Sequence, residues 1–388
     1  MKKVLLYYNF SFSFGGGDFL PLSFIADLQH ACDLTVALDR ADGLRQAADL
    51  CGIALDLSAI RIEQVTPQGY DIRRHNAYLS LYRTRRLKKL ARTADICISL
   101  SNITDFGRPA HHFMNMLAFG DDAFTDFVKN GRKAGGKSFP GICRSAIGTL
   151  FRTILGMRTK SRIIRDPREH VYPNSHFVER LMAEFYGPFN STVFYPPTLF
   201  AVHNPPVRRD PLKVVCIGRI IREKRITDII DIVRRARTLS KQDLTLHIAG
   251  RLDQTPAYGE ALRKTAAQEP WIVLTGALYG TDKEEFLASG TYAVHAERDE
   301  AFGISVAEYL VAGLVPVVPD EGGSCEVVSN PDVTYHTNEE AAQILARLLA
   351  DEDFRARQQT SCAARAQVFS RDAYLDRQRA LLRGLLAD

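Results

Sequence analysis

Short apolar runs alternate along the whole chain with segments whose apolar residues recur at helical spacing. Residues 4–8 and 34–38 in the first half, and 213–218 and 244–250 in the second, are nearly continuous apolar runs. Between two of these runs, residues 226–239 repeat apolar side chains in the pattern of an amphipathic helix. Buried strands that alternate with such helices are typical of parallel, doubly wound sheets. The pattern therefore predicts an α/β fold.

The length of 388 residues predicts two domains, because a single hydrophobic core rarely extends beyond about 250–300 residues. A proline-rich run over 196–211 separates the last strand pattern of the first half from the first strand pattern of the second. We expect an N-terminal domain over 1–200, a linker over 201–211, a C-terminal domain over 212–370 and a terminal helix over 371–388.

The composition is that of a soluble globular protein, with 46% hydrophobic and 24% charged residues. No segment approaches the ~20 uninterrupted apolar residues of a transmembrane helix. The first ten residues lack the long apolar run and the cleavage site of a signal peptide. The seven cysteines are scattered, without the paired spacing of a structural zinc site. Reduced thiols of this kind indicate the cytoplasm.

Positive charge is concentrated in the first half. Residues 1–200 contain 26 Lys and Arg against 18 Asp and Glu, whereas residues 201–388 contain 24 against 27. Two stretches, 72–94 and 127–165, contain no acidic residue, and the second has a large apolar face over 141–157. Such segments suit an anionic membrane surface or a lipid-linked acceptor that carries a phosphate. The alternative is a domain helix flanked by solvated cations. Aromatic residues are too sparse for base stacking, which argues against nucleic acid.

Two glutamates, Glu300 and Glu308, flank the start of a helix predicted from Ile304 to Ala312. The first turn of a helix presents free N–H groups and a partial positive charge, which favour a diphosphate. A carboxylate has two acceptor oxygens and can bind a pair of vicinal hydroxyls. The spacing therefore suits a sugar nucleotide, with one glutamate on the transferred sugar and the other on the ribose. The alternative is that both are solvated surface acids.

Two cations follow the predicted strand that ends at Gly218. Arg219 comes directly after it, and Lys224 precedes the next helix. Fixed cations at this place can stabilise a leaving diphosphate, as Mg²⁺ does in other enzymes; the alternative is a pair of surface cations. The glycine loop after the first strand, with Gly16 and Gly17, predicts further backbone N–H groups for an anion, or else a flexible turn. Because no GxGxxG is present, a nicotinamide cofactor is not supported.

These motifs resemble those of retaining GT-B glycosyltransferases of the large family 4 type. The segment 300–308, EAFGISVAE, is similar to the family's Glu-x7-Glu signature, and the segment 218–224, GRIIREK, is similar to its Gly-Arg-x4-Lys motif. Where the family usually has Pro-Ser before the first glutamate, this chain has Ala296-Glu297, and the family's first glycine is Ala301. Both departures touch the sugar pocket.

The resemblance implies two Rossmann-like doubly wound domains that face each other across a cleft. It places the acceptor on the N-terminal domain and the nucleotide sugar on the C-terminal domain, with the terminal helix packed back on the N-terminal domain. The implied reaction is metal-independent transfer of a hexose, of the mannose or glucose type, with retention. The donor would be a GDP- or UDP-linked sugar, and the acceptor a lipid-linked compound or a glycan. No metal or cofactor is expected.

The resemblance also assigns roles to individual residues. Glu300 is expected to orient the sugar, and Arg219 and Lys224 to stabilise the diphosphate. His112 is similar in position to a histidine that faces the sugar in the family, where it could bond a sugar hydroxyl. The alternative is a loop histidine whose hydrogen bonds are satisfied within the protein. The expected donor-binding residues are Gly16, Gly17, Gly218, Leu278, Phe302, Gly303, Ile304 and Glu308.

Two other functions fit the same architecture. A sugar-nucleotide 2-epimerase would release free nucleotide and an epimer without using an acceptor. A catalytically silent GT-B subunit would bind a partner and would not be stabilised by nucleotide. The expected location is cytoplasmic, and the basic stretches point to peripheral attachment at the inner face of the membrane.

Overall fold

The computed structural model describes residues 1–9, 18–67, 77–100, 102–114, 122–129, 155–198, 208–253 and 255–387. The chain forms two compact units, one of Met1–Pro196 with Leu375–Asp388 and the other of Pro197–Tyr374. None of the helices within the described ranges combines the length and the apolar character needed to cross a membrane.

The first unit contains a parallel sheet of six strands in the order β3-β2-β1-β4-β5-β6. In chain order the strands are β1 Lys3–Tyr8, β2 Asp33–Leu38, β3 Ile60–Gln64, β4 Ile96–Ser99, β5 His111–Met114 and β6 His170–Pro173. Its helices are α1 Phe19–Leu28, α2 Leu44–Leu50, α3 Ala77–Ala91, α4 Asp122–Lys129, α5 Lys160–Ile164 and α6 His176–Tyr186. The continuous apolar run of β1 is buried on both faces from its second residue onward, as a central parallel strand requires.

The second unit repeats this plan with the strand order β12-β11-β10-β7-β8-β9. The strands are β7 Lys213–Ile217, β8 Thr245–Ala249, β9 Ile272–Gly276, β10 Tyr292–Val294, β11 Val315–Pro319 and β12 Thr334–Tyr335. The helices are α7 Ile226–Ser240, α8 Pro256–Gln268, α9 Gly280–Ala288, α10 Ile304–Val311, α11 Gly323–Val328, α12 Asn338–Ala350 and α13 Glu352–Ala366. The last helix, α14 Arg371–Ala387, begins in the second unit and lies mostly in the first. Single 3₁₀ turns lie at Arg222–Lys224, Pro331–Val333 and Gln367–Phe369. The predicted α/β class is confirmed.

The last helix, α14, returns the chain to the first unit. Ser23 Oγ donates a hydrogen bond to Gln378 Oε1 at 2.8 Å, and Gln378 Nε2 donates to Asp27 Oδ2 at the same distance. Gln378 and Ser23 are both buried, so these bonds satisfy polar groups that water does not reach. The end of the chain is therefore fixed to α1.

The strand order reverses in the middle of each sheet. In the second unit, β7 lies between β10 and β8, although it precedes both in the chain. In open α/β sheets, ligands bind outside the carboxyl ends of the strands at such a reversal. The loops that follow β7 and β10 are therefore the first place to look for a site.

Candidate active site

The loop that follows β7 turns the chain back over the end of its own strand. The Gly218 N–H donates to the Ala249 carbonyl of β8 at 3.0 Å. A Cβ added at Gly250 would lie 2.1 Å from the Gly218 carbonyl oxygen, so only glycine at position 250 permits this close approach. The turn Arg222–Lys224 then brings Lys224 Cε to 4.0 Å from where a Cβ at position 218 would lie. Lys224 thus lies at the carboxyl edge of the sheet.

The loop that follows β10 brings three further polar residues to the same edge. His295 is buried at the strand end, where its N–H donates to the Val317 carbonyl of β11 at 3.0 Å. Glu297 and Glu300 follow, with side chains that are 18% and 19% exposed. Because β7 and β10 are parallel neighbours, the loops that follow them lie side by side.

Lys224 is shared by both of these glutamates. Its ammonium nitrogen lies 2.7 Å from Glu297 Oε2 and contacts Glu300 Oε2 directly. His295 Nε2 lies 3.7 Å from the same Glu300 oxygen. Since Lys224 is only 15% exposed, it needs such partners to offset the cost of burying its charge. The structure thus brings Lys224 and Glu300 together and adds Glu297 to them.

Burial and mutual contact shift the pKa of each group in this cluster. Burial would raise the pKa of Glu300, but Lys224 and His295 outweigh it and lower that pKa to about 2. Burial and the neighbouring Glu300 raise the pKa of Glu297 to about 7, against the opposing effect of Lys224. Burial together with Lys224 lowers the pKa of His295 to about 4. Burial would lower the pKa of Lys224, but the two carboxylates outweigh it and raise that pKa. At neutral pH, Glu300 is therefore ionised, Lys224 is charged and His295 is neutral.

The spacing of three of these groups is one that a divalent cation could use. His295, Glu297 and Glu300 each offer one ligand atom, and these atoms lie within 4.8 Å of one another. The Lys224 ammonium already bridges the two carboxylates, however. The chain itself supplies the positive charge of this cluster, and we assign no metal to it.

Glu308, the second predicted glutamate, pairs with a different lysine, Lys283. Glu308 lies in α10 with its side chain 5% exposed, and its Oε1 accepts a hydrogen bond from Lys283 Nζ at 2.6 Å. Lys283 belongs to α9, which follows β9. Burial raises the pKa of Glu308, and Lys283 partly offsets that rise. Glu300 and Glu308 thus belong to one loop–helix segment but pair with lysines from two different elements.

Among the described residues, none pairs with the Arg219 guanidinium through a hydrogen bond or an ion pair. The residue is exposed directly after Gly218. A planar group with five donors is suited to bidentate binding of a phosphate.

Glycines hold the loop from Glu300 to Gly303 against the start of α11. The Gly323 N–H donates to the Glu300 carbonyl at 2.7 Å, and a Cβ added at Gly323 would lie 2.4 Å from the Ala301 carbonyl oxygen. Gly322 has φ of 83° and Gly303 has φ of 95°, left-handed values that favour glycine. The loop after β11 therefore fixes the backbone that carries Glu300.

The other predicted donor-binding residues differ in exposure. Phe302 is buried, with its ring packed edge-on against a second phenylalanine ring at 5.7 Å, so only its backbone can face a ligand. Ile304 begins α10 and is 44% exposed, and Leu278 is half-buried between β9 and α9. Gly16 and Gly17 lie outside the described residues.

The geometry does not support the predicted sugar contact of His112. The ring is fully buried; its Nδ1 accepts from the Thr104 N–H at 3.3 Å, so its Nε2 donates to Glu169 Oε2 at 2.9 Å. Glu169 is also bound by Arg158 Nη1 at 2.7 Å and by the Ala110 N–H at 2.8 Å. Both ring nitrogens are therefore occupied inside the first unit, and no hydrogen-bonding position is left for a hydroxyl.

Sequence reasoning missed Glu297, His295 and Lys283. Glu297 falls where the chain departs from the family's usual serine, and that departure was the one signal available for it. His295 ends an apolar strand and reads as part of that strand. Lys283 lies on a polar helix, where only the fold distinguishes it from a surface lysine.

Two Rossmann-like units, each with a six-stranded parallel sheet flanked by helices, constitute the GT-B fold that the sequence predicts. Residues 202–367 match the family model described as Glycosyl transferases group 1, which covers somewhat less than half of the chain. A search of curated protein sequences gives no match.

Solved structures share the fold over the whole chain. A glycosyltransferase from Rickettsia africae ESF-5 is 12% identical, with a TM-score of 0.68 over 99% of this chain and 98% of that one. HepE from Anabaena, solved in complex with UDP-glucose, is 16% identical, with a TM-score of 0.64 over 99% and 100%. A sucrose-phosphate synthase from Thermosynechococcus elongatus is 13% identical, with a TM-score of 0.67 over 100% of both chains. The family match and these structures together support a GT-B glycosyltransferase.

Substitution of Gly323 tests its close packing against the loop that carries Glu300. In Gly323→Ala, the new Cβ would meet backbone atoms at 2.4–2.5 Å, so the loop must shift and the variant should lose about 1–3 kcal/mol of unfolding free energy. Gly384→Ala is the matched control, because its Cβ would meet nothing within 4 Å on helix α14; it should gain up to about 1 kcal/mol. Urea denaturation measures both. Equal effects of the two substitutions would contradict the packing described.

Proposed function

We propose that the chain transfers a hexose, of the mannose or glucose type, from a nucleotide-diphospho-sugar to a lipid-linked or glycan acceptor, with retention and without a metal. The observation that carries the proposal is the contact of Lys224 with Glu300 at the carboxyl ends of two neighbouring parallel strands. This is the edge at which open α/β sheets bind their ligands. The family match of residues 202–367 supports the same class of reaction.

Three features would bind the donor diphosphate. Arg219 offers an exposed guanidinium, Lys224 offers an ammonium, and the first turn of α10 begins directly after the loop that carries Glu300. Glu308 would accept hydrogen bonds from the ribose hydroxyls. Lys283 would favour the ionised form of Glu308 for that role, against the burial that raises the pKa of this carboxyl.

The chemical step is an exchange of one glycosidic bond for another. The bond from the anomeric carbon to the diphosphate oxygen breaks, and the leaving diphosphate gains negative charge that Arg219 and Lys224 stabilise. The acceptor oxygen bonds to the anomeric carbon on the same face, and its proton passes to an oxygen of the leaving phosphate. Glu300, ionised because Lys224 lowers its pKa, would accept hydrogen bonds from sugar hydroxyls and orient the ring.

The base of the donor is proposed by comparison. HepE from Anabaena is solved with UDP and with UDP-glucose, which supports a uridine donor for this chain. A guanosine donor such as GDP-mannose is the alternative from the sequence. Both are therefore needed as probes.

The acceptor side is proposed from the basic first unit. Three cations of α3 are tied to acids of the same unit: Arg83 contacts Asp39, Arg86 lies 3.1 Å from Glu63, and Lys88 lies 2.7 Å from Asp105. These three cations therefore form ion pairs within the first unit and are not free to bind an acceptor. Arg85 and Lys89 remain exposed on the outer face of the helix.

That outer face combines charge with aromatic surface. Tyr78, which is 60% exposed, and Tyr82 have ring centroids 6.4 Å apart. They line a shallow groove of about 330 Å³, together with Leu81, Arg85, Arg86 and Lys89. Tyrosines beside lysine and arginine are suited to the interfacial region of an anionic membrane. We propose that α3 attaches the protein peripherally to the inner face of the membrane, where a lipid-linked acceptor would lie. Of the second basic stretch, residues 130–154 lie outside the described residues.

Substitutions in the Lys224 cluster test the proposed reaction. Glu300→Gln and Lys224→Met should each lower kcat by about 10²–10³, because each removes charge from the transition state. Lys264→Met, an exposed lysine on α8, is the matched control and should keep the wild-type rate. The assay is release of UDP or GDP from the donor in the presence of a lipid-linked or glycan acceptor, with thermal unfolding of each variant as the check on folding.

Product analysis separates the alternatives. A donor converted to its epimer without acceptor would indicate a 2-epimerase. A protein that UDP, GDP and ADP all fail to stabilise thermally would indicate a silent subunit. Near-normal turnover of both Glu300→Gln and Lys224→Met would contradict the assignment of the site.

Membrane attachment through α3 is tested with vesicles. The protein should bind phosphatidylglycerol vesicles at low salt and not phosphatidylcholine vesicles. Arg85→Gln with Lys89→Gln should weaken that binding tenfold or more, since each cation near such a surface contributes about 1 kcal/mol. Arg263→Gln with Lys264→Gln, two exposed cations of α8, should leave it unchanged. Equal loss in the two double variants would show that only net charge matters.

A further inference from the structure

Glu297 is a second carboxylate in contact with Lys224, the lysine that the proposed function assigns to the donor diphosphate. Its Oε2 lies 2.7 Å from Lys224 Nζ, and Glu300 contacts the same ammonium. Two carboxylates on one ammonium leave a net charge of −1 when all three groups are ionised. A donor diphosphate adds negative charge at the same place, so it is repelled unless one carboxylate loses its charge or withdraws.

The two carboxylates are not equivalent. Glu300 is held by Lys224 and lies 3.7 Å from His295, and the proposed mechanism needs its charge for the sugar. Glu297 contacts only Lys224 among the described cations. Arg298, the next residue, turns instead toward Asp320 at 3.4 Å. Glu297 is therefore the carboxylate that can give up its charge without loss of the sugar contact.

We propose that Glu297 is a positioning residue that competes with the donor diphosphate for Lys224, so that donor binding requires Glu297 to take up a proton. This inference rests on the proposed function of the site. In the free protein, Glu297 holds the Lys224 ammonium beside Glu300. In the donor complex, the protonated side chain releases the ammonium to the phosphate.

The groups around Glu297 leave it as the one that titrates near neutral pH. From its own loop it is faced by Glu300 and His295, and from the loop after β7 by Lys224. Cys216 of β7 is near Lys224, but burial raises the pKa of its thiol to about 12, which keeps it neutral. The pKa of His295 lies at about 4 and that of Glu300 at about 2. Burial and Glu300 raise the pKa of Glu297 to about 7.

The protonation of Glu297 sets how the affinity for the donor changes with pH. The negative charge of a bound diphosphate disfavours the ionised form of Glu297 and raises its pKa further. Above pH ~7 the complex therefore holds one more proton than the separate partners, and affinity falls as pH rises. Below that pH, Glu297 is already protonated in the free protein, and affinity should be flat.

Isothermal titration with UDP-glucose and with GDP-mannose measures this linkage. These donors lack the phosphate ionisation near pH 6 that a terminal phosphate would add. The dissociation constant of the wild-type protein should rise about tenfold or more from pH 6.5 to pH 8.5. Repeating the titration in buffers of different ionisation enthalpy should show uptake of up to one proton for each donor bound.

Two variants and one control test whether Glu297 is the group that takes up a proton when the donor binds. Glu297→Gln keeps the shape without the charge, and Glu297→Ser removes the side chain beyond its hydroxyl. Both should bind the donor at pH 8.5 nearly as well as the wild-type protein does at pH 6.5, with the proton uptake lost. Asp299→Asn removes one negative charge from an exposed position of the same loop and should keep the wild-type pH dependence.

Several outcomes would overturn the inference. A flat dissociation constant in the wild-type protein, or a wild-type slope in both Glu297 variants, would show that Glu297 does not compete for Lys224. Binding that needs Mg²⁺ and is lost in EDTA would show that the carboxylates hold a metal in place of Lys224. If neither donor binds at any pH, the proposed function itself fails, which is a different result from pH-independent binding.

Discussion

The candidate site of the second unit centres on one largely buried ammonium, that of Lys224, which two carboxylates share. Lys224 is 15% exposed, and burying its charge would be costly if Glu297 and Glu300 were not beside it. The three residues come from the loops after two parallel neighbours, β7 and β10. Their attraction therefore holds together the loops at the point where strand order reverses. The proposed site for an anionic ligand and a structural ion pair are here the same group of atoms.

The pairing of a carboxylate with a lysine recurs in the rest of the site. Glu308 is more deeply buried than Glu300 and has its own ammonium, that of Lys283. Glycines at 303, 322 and 323 allow the loop between the two glutamates to pack against the next turn, where any Cβ at position 323 would meet backbone. Each acid that could accept hydrogen bonds from a sugar or a ribose is thus paired with a lysine, and the backbone between the two acids is tightly packed. Arg219, exposed and without a partner among the described residues, is the cation still open to a ligand.

Local sequence patterns predicted the strands and helices, because residues close in the chain decide these elements. Continuous apolar runs predicted the strands, and apolar spacing with a following glycine predicted α10 to within one residue at its end. Lys224 and Glu300 could be expected together because the carboxyl ends of parallel strands meet at one edge. Lys283 could not, because its pairing with Glu308 depends on which elements become neighbours. Glu297 shares the loop of Glu300, and its replacement of the family's usual serine was the one signal for it. The sugar contact of His112 was inferred from position alone, and its partner, Glu169, lies 57 residues away in the chain.

A structure of the protein with UDP bound would show whether Lys224 binds the diphosphate, through the distances from Lys224 Nζ to the phosphate oxygens and to the two carboxylates. We expect a phosphate oxygen about 2.7–2.9 Å from Lys224 Nζ, with Arg219 on the same diphosphate and Glu297 moved away from the ammonium. A diphosphate bound elsewhere, with Lys224 still between Glu297 and Glu300, would contradict this expectation.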